Sequence, residues 1–230
     1  MKVCIVGGVA GGASAAARLR RLSEDAEIII FERTAYVSYA NCGLPYYIGG
    51  EIADKADLTL QTPETFRERF AIDVRCESEV VAIHRTEKTL EVKNLRDGTF
   101  YTESYDKLIL SPGAKAALPP VFGLDCPNIF TLRTVEDAVR IRTFAETHRP
   151  KTAVIVGGGF IGLETAENLV HAGVEPTILL RGNQVLPPLD FDMASGVHSY
   201  LCQCGVKIRF RETLEGFTCS DGKLQVHCKD

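Results

Sequence analysis

The sequence predicts an α/β protein with two Rossmann-like domains, and three observations predict it. A short apolar strand, a glycine-rich turn, a helix and a second strand follow one another from Lys2 to Phe31, and the same order recurs from Ala153 to Leu180. Between the repeats, short alternating runs around Asp97-Gly98 read as an antiparallel β-meander inserted in the first domain. Past the second repeat, one more helix and strand precede a hairpin signal at Asp221-Gly222. The second domain is therefore expected to be incomplete and the chain to be the N-terminal portion of a longer protein.

Composition narrows the function classes. The 230 residues are 45% hydrophobic and 24% charged, ordinary values for a globular protein. With a net charge of −4 and dispersed basic residues, the chain lacks the footprint of a nucleic-acid binder. Lys2 and the run Val3–Ala17 imitate a secretion signal, but Gly7, Gly8, Gly11 and Gly12 would break its apolar helix, and no run is long enough to span a bilayer. The reading is cytoplasmic, with no membrane partner. The 8 cysteines include no Cys-x-x-Cys pair, which argues against a disulfide scaffold. Cys202-x-Cys204 has the wrong spacing for zinc and no second cluster, so no metal is expected, and Cys4 reads as a core residue.

The first domain covers residues 1–113. Lys2–Val6 is a buried strand, Gly7–Gly12 a tight turn, Ala13–Leu22 an alanine-rich helix, and Glu27–Phe31 a strand that ends at Glu32. Glycines let a pyrophosphate approach the backbone, the helix N-terminus favours its charge, and an acid after the second strand accepts from ribose hydroxyls. A strict Gly-x-Gly-x-x-Gly would need glycine at Val9; the flanking strand, the helix and Glu32 carry the assignment. Pro63–Phe70 is a short helix opened by proline, and Asp73–Arg75 begins extended structure. Glu79–His84, Thr89–Lys93 and Thr99–Glu103 form the meander, and Lys107–Leu110 is an apolar strand before the sharp turn Ser111-Pro112-Gly113.

The second domain covers residues 114–230. Val135–Thr147 is helical, and after Arg149-Pro150 comes the strand Ala153–Val156. Gly157–Gly162 is a full Gly-x-Gly-x-x-Gly opening the helix Phe160–Ala172, with the strand Thr177–Leu180 beyond it. An acid after that strand would favour NADH, whereas an arginine pairs a 2′-phosphate; Arg181 therefore favours NADPH. Pro187-Pro188-Leu189-Asp190 leads into the helix Phe191–Cys204 and the strand Val206–Phe210.

Two dinucleotide sites in one chain point to two bound redox cofactors. Cys42 stands in Ser38–Gly50, SYANCGLPYYIGG, a Gly/Pro-rich loop that leads into a helix. A helix N-terminus favours the thiolate of a nearby cysteine, and the thiolate is the form that attacks sulfur. A nicotinamide would deliver hydride to a flavin, and the flavin would reduce Cys42 or a sulfur attached to it.

Through Gly7–Ser14, Ser38–Gly50, Leu110–Ala114, Gly157–Glu164 and Pro187–Asp190, the sequence resembles the flavoprotein pyridine nucleotide-disulfide reductases over essentially its whole length. Within them it is most similar to the coenzyme A-disulfide reductases and the related persulfide and polysulfide reductases. The resemblance implies FAD held by Gly7, Gly8, Val9, Ala10, Gly11, Gly12, Glu32, Arg33, Asn41, the backbone near Val80, Ser111, Pro112 and Gly113, with a further contact from Arg133. It implies NADPH or NADH contacts at Gly157, Gly159, Phe160, Ile161, Gly162, Glu164 and Arg181, and coenzyme A contacts at Ser14, Arg18, Arg21, Ser38 and Asn41. Cys42 matches the single redox cysteine of this subgroup. Position 47, where the two-cysteine branch has its second thiol, is Tyr47, so the oxidising partner of Cys42 comes from outside, as a mixed disulfide, a persulfide or a sulfenic acid.

The expected function is FAD- and NAD(P)H-dependent reduction of a small disulfide or persulfide, coenzyme A-linked, through Cys42, with a homodimer as the full-length form. Two alternatives stay open: an NADH oxidase or peroxidase in which Cys42 cycles through sulfenic acid, and a truncated nucleotide-binding module without catalysis.

Overall fold

In the computed structural model, which describes residues 1–220 and 223–229, the chain forms two compact units. One joins Met1–Ala40 to Ala56–Lys115, and the other joins Asn41–Lys55 to Ala116–Asp230. The turn expected at Asp221-Gly222 lies outside the described residues. Among the described residues, no helix is long and apolar enough to cross a membrane.

The first unit runs β1 (Lys2–Val6), α1 (Ala10–Leu22) and β2 (Glu27–Phe31). After α2 (Leu44–Gly49), which groups with the other unit, come α3 (Pro63–Phe70) and β3 (Asp73–Arg75). A meander of β4 (Ser78–His84), β5 (Thr89–Asn94) and β6 (Phe100–Ser104) follows, then β7 (Lys107–Leu110).

A parallel sheet has the strand order β3-β2-β1-β7. Parallel sheets are covered on both faces, which is why β1 and β2 read as continuous apolar runs. Val3, Ile5, Ile28 and Ile30 face Ala13 and Ala16 of α1 and Phe66 of α3. The alternate residues Cys4, Ile29 and Phe31 face Leu90 and Val92 of the antiparallel meander. β1 has β2 on one side and β7 on the other, so the sheet switches direction between β1 and β7, the place where such sheets bind ligands.

Helix α1 begins at Ala10 rather than Ala13, so Gly11 and Gly12 lie in its first turn. The reason is steric: a Cβ on Gly12 would overlap the Gly7 carbonyl, and its absence lets the helix start directly on the end of β1.

The second unit carries α2, α4 (Val135–His148), β8 (Thr152–Val156), α5 (Phe160–His171), β9 (Glu175–Leu179), α6 (Phe191–Gln203) and β10 (Lys207–Arg209). β11 (Thr213–Ser220) and β12 (Lys223–Lys229) pair antiparallel. Among the described residues its parallel sheet has the order β10-β9-β8. Ile178 and Leu180 are buried with Ala166 of α5, Leu201 of α6 and Val206. β10 is shorter than the expected Val206–Phe210, because the Val206 N–H is spent on the Leu201 carbonyl at the end of α6. α2 lies against both α4 and α5.

Candidate nucleotide cradles and redox cysteine

In the first unit, the turn after β1 is fixed by hydrogen bonds at each residue. Gly7 N donates to the Phe31 carbonyl at 2.8 Å, and Ser111 N, after β7, donates to the Val6 carbonyl at 2.8 Å. Gly7 has φ +93°, and a Cβ there would overlap the Ser111 carbonyl. Gly8 N donates to Glu32 Oε2 at 2.8 Å, while Glu32 Oε1 accepts from Thr34 N at 2.8 Å and Thr34 Oγ1 at 2.9 Å. Glu32 is 6% exposed. A carboxylate has about four acceptor sites, so three donors leave Glu32 with capacity for one more hydroxyl.

The start of α1 is open as well. Val9, its N-cap, makes no side-chain capping bond, and the first turn holds no acid. Its N–H groups are therefore left for another acceptor. A Cβ on Gly11 would meet Ser111 Oγ, so side chains are kept out of the space between the helix start and the turn after β7, where Gly113 takes φ +69°. This cradle fits the diphosphate and ribose of a dinucleotide such as FAD.

The other first-unit residues expected to bind fall around it differently. Ser38, at φ +49°, donates from its N–H to the Gly8 carbonyl at 2.9 Å, which ties the loop before Cys42 to the glycine turn. Ser14, Arg18 and Arg21 are exposed along one face of α1. Arg20 is not available with them: its Nε donates to the Phe70 carbonyl at 2.7 Å and its Nη2 to the Ala71 carbonyl at 2.8 Å. Arg33 is exposed and pairs with Glu79 at 3.7 Å. The Val80 side chain packs on the Cys4, Ile29 and Phe31 face, and Val80 stands opposite Val92 in the β4–β5 pairing.

In the second unit, Gly157 takes φ +111° after β8, and its N–H donates to the Leu179 carbonyl at 3.0 Å. A Cβ on Gly162 would overlap the Gly157 carbonyl. Gly159 caps α5 without a side-chain bond, the first turn has no acid, and Phe160 and Ile161 are exposed. Glu164 is half-buried on α5, and Arg181 is exposed just past β9. These residues fit the diphosphate of a second dinucleotide, with a cation at the end of the second strand. A cavity of about 270 Å³ lined by Val154, Leu179, Arg209, Val226 and Cys228 includes none of them, so the open turns define the site better than enclosed volume does.

Cys42 also belongs to the second unit. It lies in a 3₁₀ turn, Asn41–Gly43, that runs into α2 through Pro45. It is exposed, whereas Cys4 is buried and Cys76 half-buried. Asn41 Oδ1 accepts from Arg133 Nη1 at 2.9 Å, so two expected flavin contacts are bonded to each other. Burial, followed by the charges of Glu164, Glu167, Glu51 and Cys42, raises the Tyr46 phenol above its ordinary value.

Two second-unit residues were not singled out from the sequence. Arg142 of α4 donates to three carbonyls around the end of α2. Asn168 of α5 is fully buried beneath Gly49, with its Nδ2 donating to the Glu164 carbonyl at 2.8 Å. A polar residue on the inward face of an apolar helix was the available clue for Asn168; for Arg142 there was none.

Two glycine cradles on parallel sheets and an exposed cysteine define the two-dinucleotide class of α/β scaffold. A family profile described as pyridine nucleotide-disulphide oxidoreductase matches residues 1–230, and the chain belongs to that family, whose chemistry uses FAD and NAD(P)H. It is similar to the coenzyme A disulfide reductase of Staphylococcus haemolyticus (strain JCSC1435), at 41% identity over 213 residues, covering 93% of this chain and 48% of that protein. Among solved structures, reduced Bacillus anthracis CoADR-RHD superposes with a TM-score of 0.94 at 46% identity, over 100% of this chain and 42% of that one. The NAD-dependent persulfide reductase from A. fulgidus has a TM-score of 0.94 at 34% identity, over 99% of this chain and 43% of that one. The chain thus spans about half the length of the curated relatives it matches.

Proposed function

We propose that this chain is the nucleotide-binding and sulfur-attacking part of a flavoprotein reductase acting on coenzyme A disulfide or a related persulfide, with NADPH as the electron source. The observation that carries the reading is the exposed Cys42 in a loop whose fifth following residue is Tyr47, so that one thiol does the work and its disulfide partner is the substrate.

The Cys42 thiolate attacks one sulfur of the substrate. The substrate S–S bond breaks, a mixed disulfide forms on Cys42, and one coenzyme A thiolate leaves. Two electrons and one proton then split the mixed disulfide, which restores the Cys42 thiolate and releases the second coenzyme A as a thiol. When bound, FAD supplies the two-electron step from NADPH. Gly7, Gly8 and the start of α1 hold its diphosphate, and Glu32 accepts from its ribose. Gly157–Gly162 hold the NADPH diphosphate and Arg181 its 2′-phosphate. Ser14, Arg18, Arg21 and Ser38 orient coenzyme A, the two cations toward its phosphates.

The test is an anaerobic titration with NADPH of the FAD-loaded protein, first incubated with coenzyme A disulfide and freed of the excess, following the flavin spectrum, with Cys42→Ser in parallel. The proposal expects two electrons to enter a Cys42-linked disulfide before the flavin bleaches, with one coenzyme A released per Cys42 (about one equivalent), and neither event in Cys42→Ser. Flavin reduction without any thiol release would exclude the disulfide chemistry, and turnover of hydrogen peroxide in its place would assign Cys42 to a sulfenic acid cycle.

A further inference from the structure

Helix α2, into which Cys42 opens, is 6 residues long. A helix of that length does not hold its shape unaided, so what fixes Cys42 must come from neighbouring elements. At the Cys42 end, Asn41 Oδ1 is bonded to Arg133 at 2.9 Å.

The other end of α2 is gathered by one side chain of α4. Arg142 Nη1 lies 3.1 Å from the Tyr47 carbonyl, 3.1 Å from the Ile52 carbonyl and 3.2 Å from the Ala53 carbonyl. The same guanidinium stands over the Tyr47 ring, with Cζ 4.5 Å from its centroid, and Nε donates to Glu146 Oε1 at 2.8 Å. The Arg142 side chain is 21% exposed. The last carbonyls of a helix lack intrahelical partners. Gly50, at φ +85°, turns the chain back so that the carbonyls of Ile52 and Ala53 meet the same cation as that of Tyr47. Three acceptors share the two protons of Nη1, so the carbonyls converge on one charged donor. A third contact seats the helix from below, because Gly49 leaves room for the buried Oδ1 of Asn168.

We propose that Arg142 is a positioning residue for Cys42: by holding the carbonyls after α2 and stacking on Tyr47, it fixes the short helix and with it the direction in which the thiol is presented. Position 47, where a second thiol would close an internal disulfide, serves in this chain as the surface on which that anchor rests. This inference rests on the reading of Cys42 as the attacking thiol. Arg140, on the same helix, stands over Phe130 at 5.8 Å and supplies a control.

The experiment follows the attack of each cysteine on dithiodipyridine, a small disulfide, in the 230-residue protein, with adducts mapped by peptide mass spectrometry. Cys202, exposed on α6, is the internal reference. In Arg142→Ala, the Cys42 rate is expected to fall by on the order of tenfold, because a loosened loop presents the thiol less often in attack geometry, with the Cys202 rate unchanged. Arg142→Lys, which keeps one charged donor, recovers most of the rate, and Arg140→Ala matches the wild type. Equal Cys42 rates in all four proteins overturn the proposal. So does a fall shared by Cys42 and Cys202, which marks general loosening, or a failure of lysine to rescue. A wild-type Cys42 no faster than Cys202 overturns the nucleophile reading instead, and the Arg142 effect on Cys42 is read independently of it.

Discussion

Glu32 shows how a residue expected to touch a ligand also holds the turn around it. Its carboxylate holds Gly8 N–H on one oxygen and the Thr34 backbone and hydroxyl on the other. Glu32→Ala leaves those buried donors unpaired and is expected to lower stability by about 1–3 kcal/mol, measured as the urea unfolding midpoint, with weaker FAD binding in an equilibrium titration. The spacing from Gly7 made Glu32 legible in the sequence; its partner Thr34 was not, because a side-chain bond two positions away has no periodicity. The cysteines divide in the same way. Cys4 was readable as core from the apolar run around it, while the burial of Cys76 depends on the fold. Burial pushes both thiols up to about 11. The folded chain therefore keeps protons that the unfolded chain loses near pH ~8.5. Stability is fully present below that value and falls as pH rises toward about 11. Urea midpoints measured across this window should decline, and less steeply in Cys76→Ala.

At the scale of elements, strands were the easiest to read. β1 and β2 are apolar from Val3 and Ile28 onward because the parallel sheet buries both faces, and the alternation in β5 appears where the meander covers that sheet on one side. Helix ends were less legible, since α1 begins inside the glycine turn, where propensity argues against a helix and close approach to β1 decides for it. α2 is the extreme case. Its existence was readable after Cys42, but its anchors come from Arg142, 95 residues away from Tyr47 in the chain, and no local pattern encodes such a contact. The seat of Gly49 on Asn168 gives a sharp test. Gly49→Ala forces a methyl against Asn168 Oδ1 and is expected to cost about 1–3 kcal/mol. Asn168→Ala in the same chain should recover part of that loss, so the double-mutant cycle read by thermal unfolding shows a nonzero coupling.

For the whole molecule, the double repeat announced two nucleotide folds, and each unit carries its own glycine cradle. Ligand at about 100 times its dissociation constant stabilises the state it binds by about 2.7 kcal/mol. FAD and NADPH should therefore each raise the thermal unfolding temperature. Gly162→Val, which puts side-chain atoms against the Gly157 carbonyl, should abolish the NADPH shift and leave the FAD shift in place. The membership of residues 41–55 in the second unit left no mark in the sequence, because it is decided by what α2 leans on rather than by what precedes or follows it.

The chain passes between its units at Ala40–Asn41, Lys55–Ala56 and Lys115–Ala116. A graft that replaced only residues 116–230 to change coenzyme preference would strip α2 of α4 and α5 while leaving Cys42 in the recipient. If residues 116–230 set the coenzyme and Cys42 attacks sulfur, as proposed above, the two properties are inherited together: a donor of the second half must bring its own cysteine loop, or the recipient must already carry one cut to fit it.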